Sequence, residues 1–143
     1  MDEKTPLSAL ILGWGGVIPF VATALAFKYA PPHVAITALE AGTIYGAVII
    51  TFIGAVHWGV AIKREDASPY VYLWSVIPSL LMALVLMLAP PFRPLLLLAG
   101  LILVWGVDLR STRAGVLPRW YMRLRHGLTA VAGASLLSLH LGI

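Results

Sequence analysis

The sequence predicts an all-α integral membrane bundle of five transmembrane helices. Hydrophobic residues make up 60% of the 143 residues and charged residues 11%, whereas soluble domains have about 45–50% and about 25%. A helix needs roughly twenty apolar residues to cross the hydrocarbon core of a bilayer. Five apolar stretches fit this requirement, at 7–27, 38–62, 70–89, 95–109 and 124–141. The connectors are too short for a soluble domain, so residues 1–143 are predicted to form a single transmembrane domain.

The basic residues of the connectors predict the orientation of the bundle, because Lys and Arg in short loops favour the cytoplasmic side. With a cytoplasmic N-terminus, only Lys28 and Arg93 face the far side, together with the C-terminus. The other eight lie on the cytoplasmic side: Lys4, Lys63, Arg64, Arg110, Arg113, Arg119, Arg123 and Arg125. Because these charges lie beside the spans, the expected partners are the lipid bilayer and its anionic headgroups, and not nucleic acid.

Two prolines lie inside predicted spans, and each belongs to a weak internal repeat. Val17-Ile18-Pro19 recurs as Val76-Ile77-Pro78, 59 residues later. This spacing predicts a tandem two-helix repeat followed by a fifth helix, although chance matches between apolar segments are an equal alternative. Each proline removes a backbone hydrogen bond, so we expect kinks in the first and third spans.

The second span has the clearest face of the five. At 100° per residue, its small residues and one histidine lie along a single stripe. The stripe consists of Gly42, Thr43, Gly46, Ile50, Gly54, His57 and Ala61. Small residues allow helices to approach closely, so the stripe is predicted to face protein and to point His57 into the bundle.

Ionisable residues from three spans lie at a similar depth near the cytoplasmic side. They are His57, Asp108, Arg110 and His126. Asp108 is predicted near the C-terminal end of its helix, where a carboxylate opposes the helix dipole and needs a cation. We predict that His57, Asp108 and one of Arg110, Arg123 or Arg125 come within hydrogen-bonding reach, either as a functional site or as a structural tie. Residues 117–126 are predicted to form a helix along the interface before the fifth span.

All five tryptophans lie toward the predicted cytoplasmic side. They form either a one-sided aromatic belt or the lining of a pocket for a flat, amphipathic ligand. On the second interpretation, Trp58, Trp74 or Trp105 covers the ionisable cluster. The candidate ligand-binding residues are His57, Trp58, Trp74, Trp105, Asp108, Arg110, Tyr121, Arg123, Arg125 and His126.

No HExxH, GxSxG or Walker motif is present, and there is no cysteine. We therefore expect a non-enzymatic protein and assign no catalytic or metal-ligating residue; the cofactor stays open. The leading hypothesis is binding of a quinone or phospholipid, or stabilisation of a membrane protein complex, through a site in the cytoplasmic leaflet. The alternative is a small ion or proton channel or transporter that uses His57 and Asp108. A third, weaker hypothesis is a redox protein that uses a quinone or a haem held by His57 and His126.

Several segments resemble a known family. They are 45–48, 54–59, 74–78 and 120–129, and the His57-Trp58-Gly59 block is the most specific. These residues resemble the bacterial relatives of mitochondrial transmembrane protein 69, an integral membrane family of unknown function. The resemblance implies a protein of the bacterial inner membrane, so that the far side on which the charge count places the C-terminus is the periplasm, and it supports His57, Trp58 and Asp108 as candidates. It implies no activity.

Overall fold

Prolines begin most helices of this chain. Because proline lacks the N–H that the first helical turn leaves unpaired, it is well suited to that position, and it occupies the first or second position of four helices here. The computed structural model describes residues 4–64, 68–88 and 90–142. Within these residues the helices are α1 Leu7–Gly15, α2 Ile18–Tyr29, α3 Pro32–Ile62, α4 Pro69–Met87, α5 Arg93–Arg113 and α6 Arg119–Leu141, and a 3₁₀ turn, Pro90–Phe92, precedes α5.

Four of the predicted spans are long and apolar enough to cross a membrane. They are Leu7–Tyr29, Pro32–Ile62, Pro69–Met87 and Arg93–Arg113. The fifth predicted span lies within α6, which has 23 residues and packs against α5 and α2. The basic residues in its first two turns lower its average hydropathy, so its assignment as a membrane span stays a prediction.

The first predicted span is interrupted just before Pro19, where the two intervening residues, Gly16 and Val17, keep α-helical backbone angles. α1 ends at Gly15 and α2 begins at Ile18, so Pro19 lies in the first turn of a new helix. The Tyr45 hydroxyl of α3 donates a hydrogen bond to the Gly16 carbonyl oxygen at 2.8 Å. This bond satisfies a carbonyl at the break, as the apolar surroundings require.

The two proline-containing spans differ. Pro78 lies inside α4, which continues as one helix from Pro69 to Met87, whereas the first span divides into two helices. The tandem repeat therefore stays a prediction.

The stripe of α3 faces the protein as predicted, and all seven of its residues are buried. A Cβ atom at Gly54 would lie 2.6 Å from Pro78 Cγ, and one at Gly42 would overlap the Thr23 side chain. The glycines therefore bring α3 into close contact with α4 and α2. The core around α3 is apolar and includes Ile50 and Leu97.

Two predicted boundaries need correction near the cluster. α5 continues to Arg113, so Asp108 lies more than one turn before the helix end, and its backbone oxygen accepts a hydrogen bond from Thr112 Oγ1 at 2.9 Å. α6 is one continuous helix from Arg119, so no separate interfacial helix precedes it. At the expected bend, a Cβ atom at Gly127 would lie 3.0 Å from the Trp14 ring, which shows that α1 packs directly against α6 there.

Candidate functional site

Asp108 is completely buried, and within the described part of the chain three side chains bond its carboxylate. Its Oδ2 accepts hydrogen bonds from Arg125 Nε at 2.9 Å and from the Tyr121 hydroxyl at 3.2 Å. His57 Nε2 lies 3.0 Å from Oδ1. Because an ionised carboxylate only accepts, His57 Nε2 donates in this state. The predicted contact among His57, Asp108 and an arginine is confirmed, and the arginine is Arg125. We call His57, Asp108, Tyr121 and Arg125 the buried cluster.

Three helices supply the buried cluster. The stripe of α3 carries His57, and α5 carries Asp108. Tyr121 and Arg125 are four residues apart on α6, and this spacing places them on one face of the helix. A single carboxylate therefore joins α3, α5 and α6 at the end of the bundle where α3 and α5 end and α6 begins.

The ionisable side chains of the buried cluster are largely removed from solvent. Arg125 is 5% exposed and His57 is 4% exposed. With a neutral imidazole, the guanidinium and the carboxylate sum to zero, which lowers the cost of burying either charge. A guanidinium has five N–H donors, and Arg125 Nη2 is buried without a hydrogen-bond partner among the residues that the structure describes.

An apolar cavity of about 520 Å³ lies beside the buried cluster. It is partly open at the surface and is lined by α1, α2, α3 and α6, with Leu101 of α5 at one side, and Arg125 and Tyr121 are among its lining residues. Within the described part of the chain, Arg125 is the only charged residue that lines it. Small-molecule sites are commonly apolar cavities of about 300–1,000 Å³ with few polar groups. The cavity has the size and lining of such a site.

A second, smaller pocket of about 230 Å³ borders His57. Its lining includes Arg64, Ser68 and Val116, which lie at the ends of helices or in connectors. His57 therefore lies between this pocket and Asp108, whereas Arg125 and Tyr121 lie between Asp108 and the larger cavity.

The remaining candidate residues lie apart from the buried cluster. Trp58 is 42% exposed and packs edge-on against Tyr72, with 5.2 Å between ring centroids. Trp105 Nε1 donates a hydrogen bond to Nδ1 of the exposed His126 at 3.2 Å. Trp74 is half-buried against the core. The other two candidates, Arg110 and Arg123, are exposed.

The predicted tryptophan lining differs from the observed one. Trp120 of α6 lines the cavity, and Trp58, Trp74 and Trp105 do not. Sequence reasoning also missed Val17, Phe20 and Tyr45, which line it from the break between α1 and α2 and from α3. The signal was the glycine pair before Pro19, because glycines followed by proline favour a helix end.

The comparisons with known proteins identify the family of this chain. The family described as "Protein of unknown function (DUF3429)" matches residues 5–141. The chain belongs to this family. Transmembrane protein 69 from Xenopus tropicalis is 34% identical over 146 residues, which cover 94% of this chain and 54% of the relative. The chain thus spans about half the length of this curated relative. No solved structure matches the chain significantly. The family resemblance predicted from the sequence is confirmed, as is a membrane protein with several apolar helices.

Proposed function

We propose that this chain is a non-enzymatic protein of the bacterial inner membrane that binds a lipid-like molecule, a quinone or a phospholipid, in the cavity beside the buried cluster. The observation that carries the proposal is the pairing of an apolar cavity with a buried, unpartnered guanidinium nitrogen. An apolar body fills the cavity, and its polar end accepts a hydrogen bond from Arg125.

The packing of α1 supports an entrance for such a molecule from the bilayer. Among its described residues α1 buries none. It rests on α6 through Trp14, which contacts Gly127, and through Gly13, where an added Cβ atom would lie 3.1 Å from Leu124 and 3.2 Å from Leu128. Elements with few buried contacts open most easily. The cavity is already partly open beside exposed apolar side chains such as Leu12 and Phe52, and movement of α1 away from α6 widens it for a molecule that enters from the apolar interior of the membrane.

The surroundings of the buried cluster favour a binding site over an ion path. Leu97 and Leu101 of α5 and Ile50 of α3 are at most 1% exposed, and they fill the core. Such a packed apolar layer offers no hydrogen bonds to a moving ion or proton. Arg125, in contrast, borders the cavity directly.

The proposal is tested by analysis of lipids that copurify with the full chain. The protein is extracted from membranes in a mild detergent, and bound lipids and quinones are quantified by mass spectrometry. Ala9 lines the cavity from α1, so Ala9→Phe fills part of it. Ala22 is exposed on α2, so Ala22→Phe is the matched control.

We expect one lipid-like species to copurify with wild type and with Ala22→Phe at a fixed molar ratio to the protein. Much less of this species should copurify with Ala9→Phe. A lipid profile identical in all three proteins would contradict the proposal.

A further inference from the structure

We infer that the polar end of the ligand in this cavity is an uncharged hydrogen-bond acceptor, such as a quinone carbonyl, and not a phosphate. This inference rests on the proposed function and selects between its two ligand classes. It follows from the charge balance of the buried cluster, the donors that line the cavity, and the depth of Arg125.

The charge of Arg125 is already compensated. Its Nε donates to Asp108 Oδ2 at 2.9 Å, and Asp108 is 0% exposed. The other groups on this carboxylate are the Tyr121 hydroxyl and His57 Nε2. With a neutral imidazole, a phosphate bound at Nη2 would add a negative charge beside a pair that sums to zero, in surroundings with little water to screen it.

The available donors also fit a single acceptor atom. Both tyrosine hydroxyls that line the cavity donate elsewhere, Tyr121 to Asp108 and Tyr45 to the Gly16 carbonyl. Arg125 Nη2 is the buried donor left over in the described lining. A phosphate has several oxygens, each of which loses hydration on burial, whereas a carbonyl oxygen is satisfied by one or two hydrogen bonds.

The position of Arg125 along α6 separates it from the exposed arginines. It lies six residues after the first residue of α6, which is about 9 Å along the helix axis. Arg119 and Arg123 are exposed nearer the helix start, where phospholipid headgroups meet basic side chains. A molecule whose head reaches Arg125 has moved below this layer and has left its hydration behind.

The test compares three probes that share a ten-carbon tail: decylubiquinone, decyl phosphate and n-decanol. Their binding to the full chain in mild detergent is measured by equilibrium dialysis. We expect decylubiquinone to bind at least about tenfold more tightly than decyl phosphate, a difference typical of a polar group buried without its hydrogen-bond partners.

A variant assigns the difference to Arg125. Arg125→Lys keeps a cation for Asp108 but removes the planar fork of donors. It should weaken binding of decylubiquinone about tenfold, a factor typical of one lost hydrogen bond to a charged donor, and leave n-decanol nearly unchanged. Arg119→Lys, an exposed change on the same helix, should leave all three probes unchanged.

The outcomes separate this inference from the proposed function. If decyl phosphate binds as tightly as decylubiquinone, the inference that the polar end of the ligand is uncharged is overturned. The cavity would still be a lipid site. Full decylubiquinone affinity in folded Arg125→Lys would overturn the role of Arg125. If Ala9→Phe reduces the binding of none of the three probes, the proposed function itself is overturned. If Arg125→Lys does not fold, the ranking of the three probes on wild type decides.

Discussion

Asp108 has no contact with solvent, so its charge has to be compensated inside the bundle. Arg125 supplies the opposite charge, with its Nε 2.9 Å from Asp108 Oδ2. His57 and Tyr121 donate further hydrogen bonds to the same carboxylate. A buried pair of this kind adds little stability compared with a well-packed apolar pair, but loss of one partner leaves the other charge uncompensated. The buried cluster is therefore sensitive to single substitutions and tolerant of matched ones.

Asp108→Asn should lower the free energy of unfolding by about 3–5 kcal/mol, because the Arg125 charge stays buried without its carboxylate. The double variant Asp108→Leu with Arg125→Met should lose less stability than the loss of one charge and the two lost hydrogen bonds together would cause, since both charges are removed at once and only the donors of His57 and Tyr121 lose their acceptor. Denaturant unfolding in detergent micelles measures both.

The ion pair at the other end of the bundle provides a control for this prediction. Arg93 Nη1 lies 3.0 Å from Glu40 Oε1, and the glutamate side chain is 55% exposed. Glu40→Gln should change stability by at most about 1 kcal/mol, as is usual for exposed pairs. An equally small effect of Asp108→Asn would show that Arg125 reaches water.

At the scale of the helix, close approach of α3 to α4 depends on Gly54. A Cβ atom there would lie 2.6 Å from the Pro78 ring, which is rigid. Gly54→Leu should destabilise the protein by about 1–3 kcal/mol or more through overpacking. Gly59 lies on the same helix with nothing within 4 Å of an added Cβ, so Gly59→Leu should leave thermal stability in detergent unchanged. Similar losses in both variants would contradict the assigned contact.

The break between α1 and α2 makes a prediction about Tyr45. Its hydroxyl donates to the Gly16 carbonyl at 2.8 Å. Tyr45→Phe should cost about 1 kcal/mol and increase hydrogen exchange in α1, because a carbonyl in apolar surroundings loses its partner. Tyr29→Phe is the control, since Tyr29 is 73% exposed. Unchanged exchange in α1 would mean that the packing of Gly13 and Trp14 on α6 alone holds this helix.

Sequence periodicity predicted the buried face of α3 well, because small residues repeated along one face of a helix allow a neighbouring helix to pack closely there. Pairing of His57, Asp108 and an arginine was also predictable, since a buried carboxylate requires a cation. The break at Gly16 was signalled by the glycine pair before Pro19, but Pro19 is compatible with a kink or with a new helix, and tertiary packing decides between them. The cavity lies beside that break, so the signal indicated a disturbed helix without indicating which residues line the cavity.

At the scale of the whole molecule, the buried cluster and most exposed basic residues lie at one end of the bundle. The Glu40–Arg93 pair lies at the other end. Alternation of the helices places the end of α3, the end of α5 and the start of α6 together, as their contacts with Asp108 require. The excess of Lys and Arg predicts that this end is cytoplasmic. The cavity then opens to the cytoplasmic leaflet.

The orientation and the membrane crossing of α6 are tested by the same labelling experiment. The natural chain has no cysteine, so single-cysteine variants need no background removal. Lys63 and Arg113 lie at the predicted cytoplasmic end, and Lys28 and His140 at the predicted periplasmic end, all four exposed. A membrane-impermeant maleimide added to intact spheroplasts should label Lys28→Cys and His140→Cys, whereas Lys63→Cys and Arg113→Cys should react only after lysis. If Lys63→Cys is labelled in intact spheroplasts and Lys28→Cys only after lysis, the orientation is the opposite of the predicted one. If Lys28→Cys is labelled in intact spheroplasts and His140→Cys is not, α6 does not cross the membrane. Both ends of α6 would then lie on the cytoplasmic side.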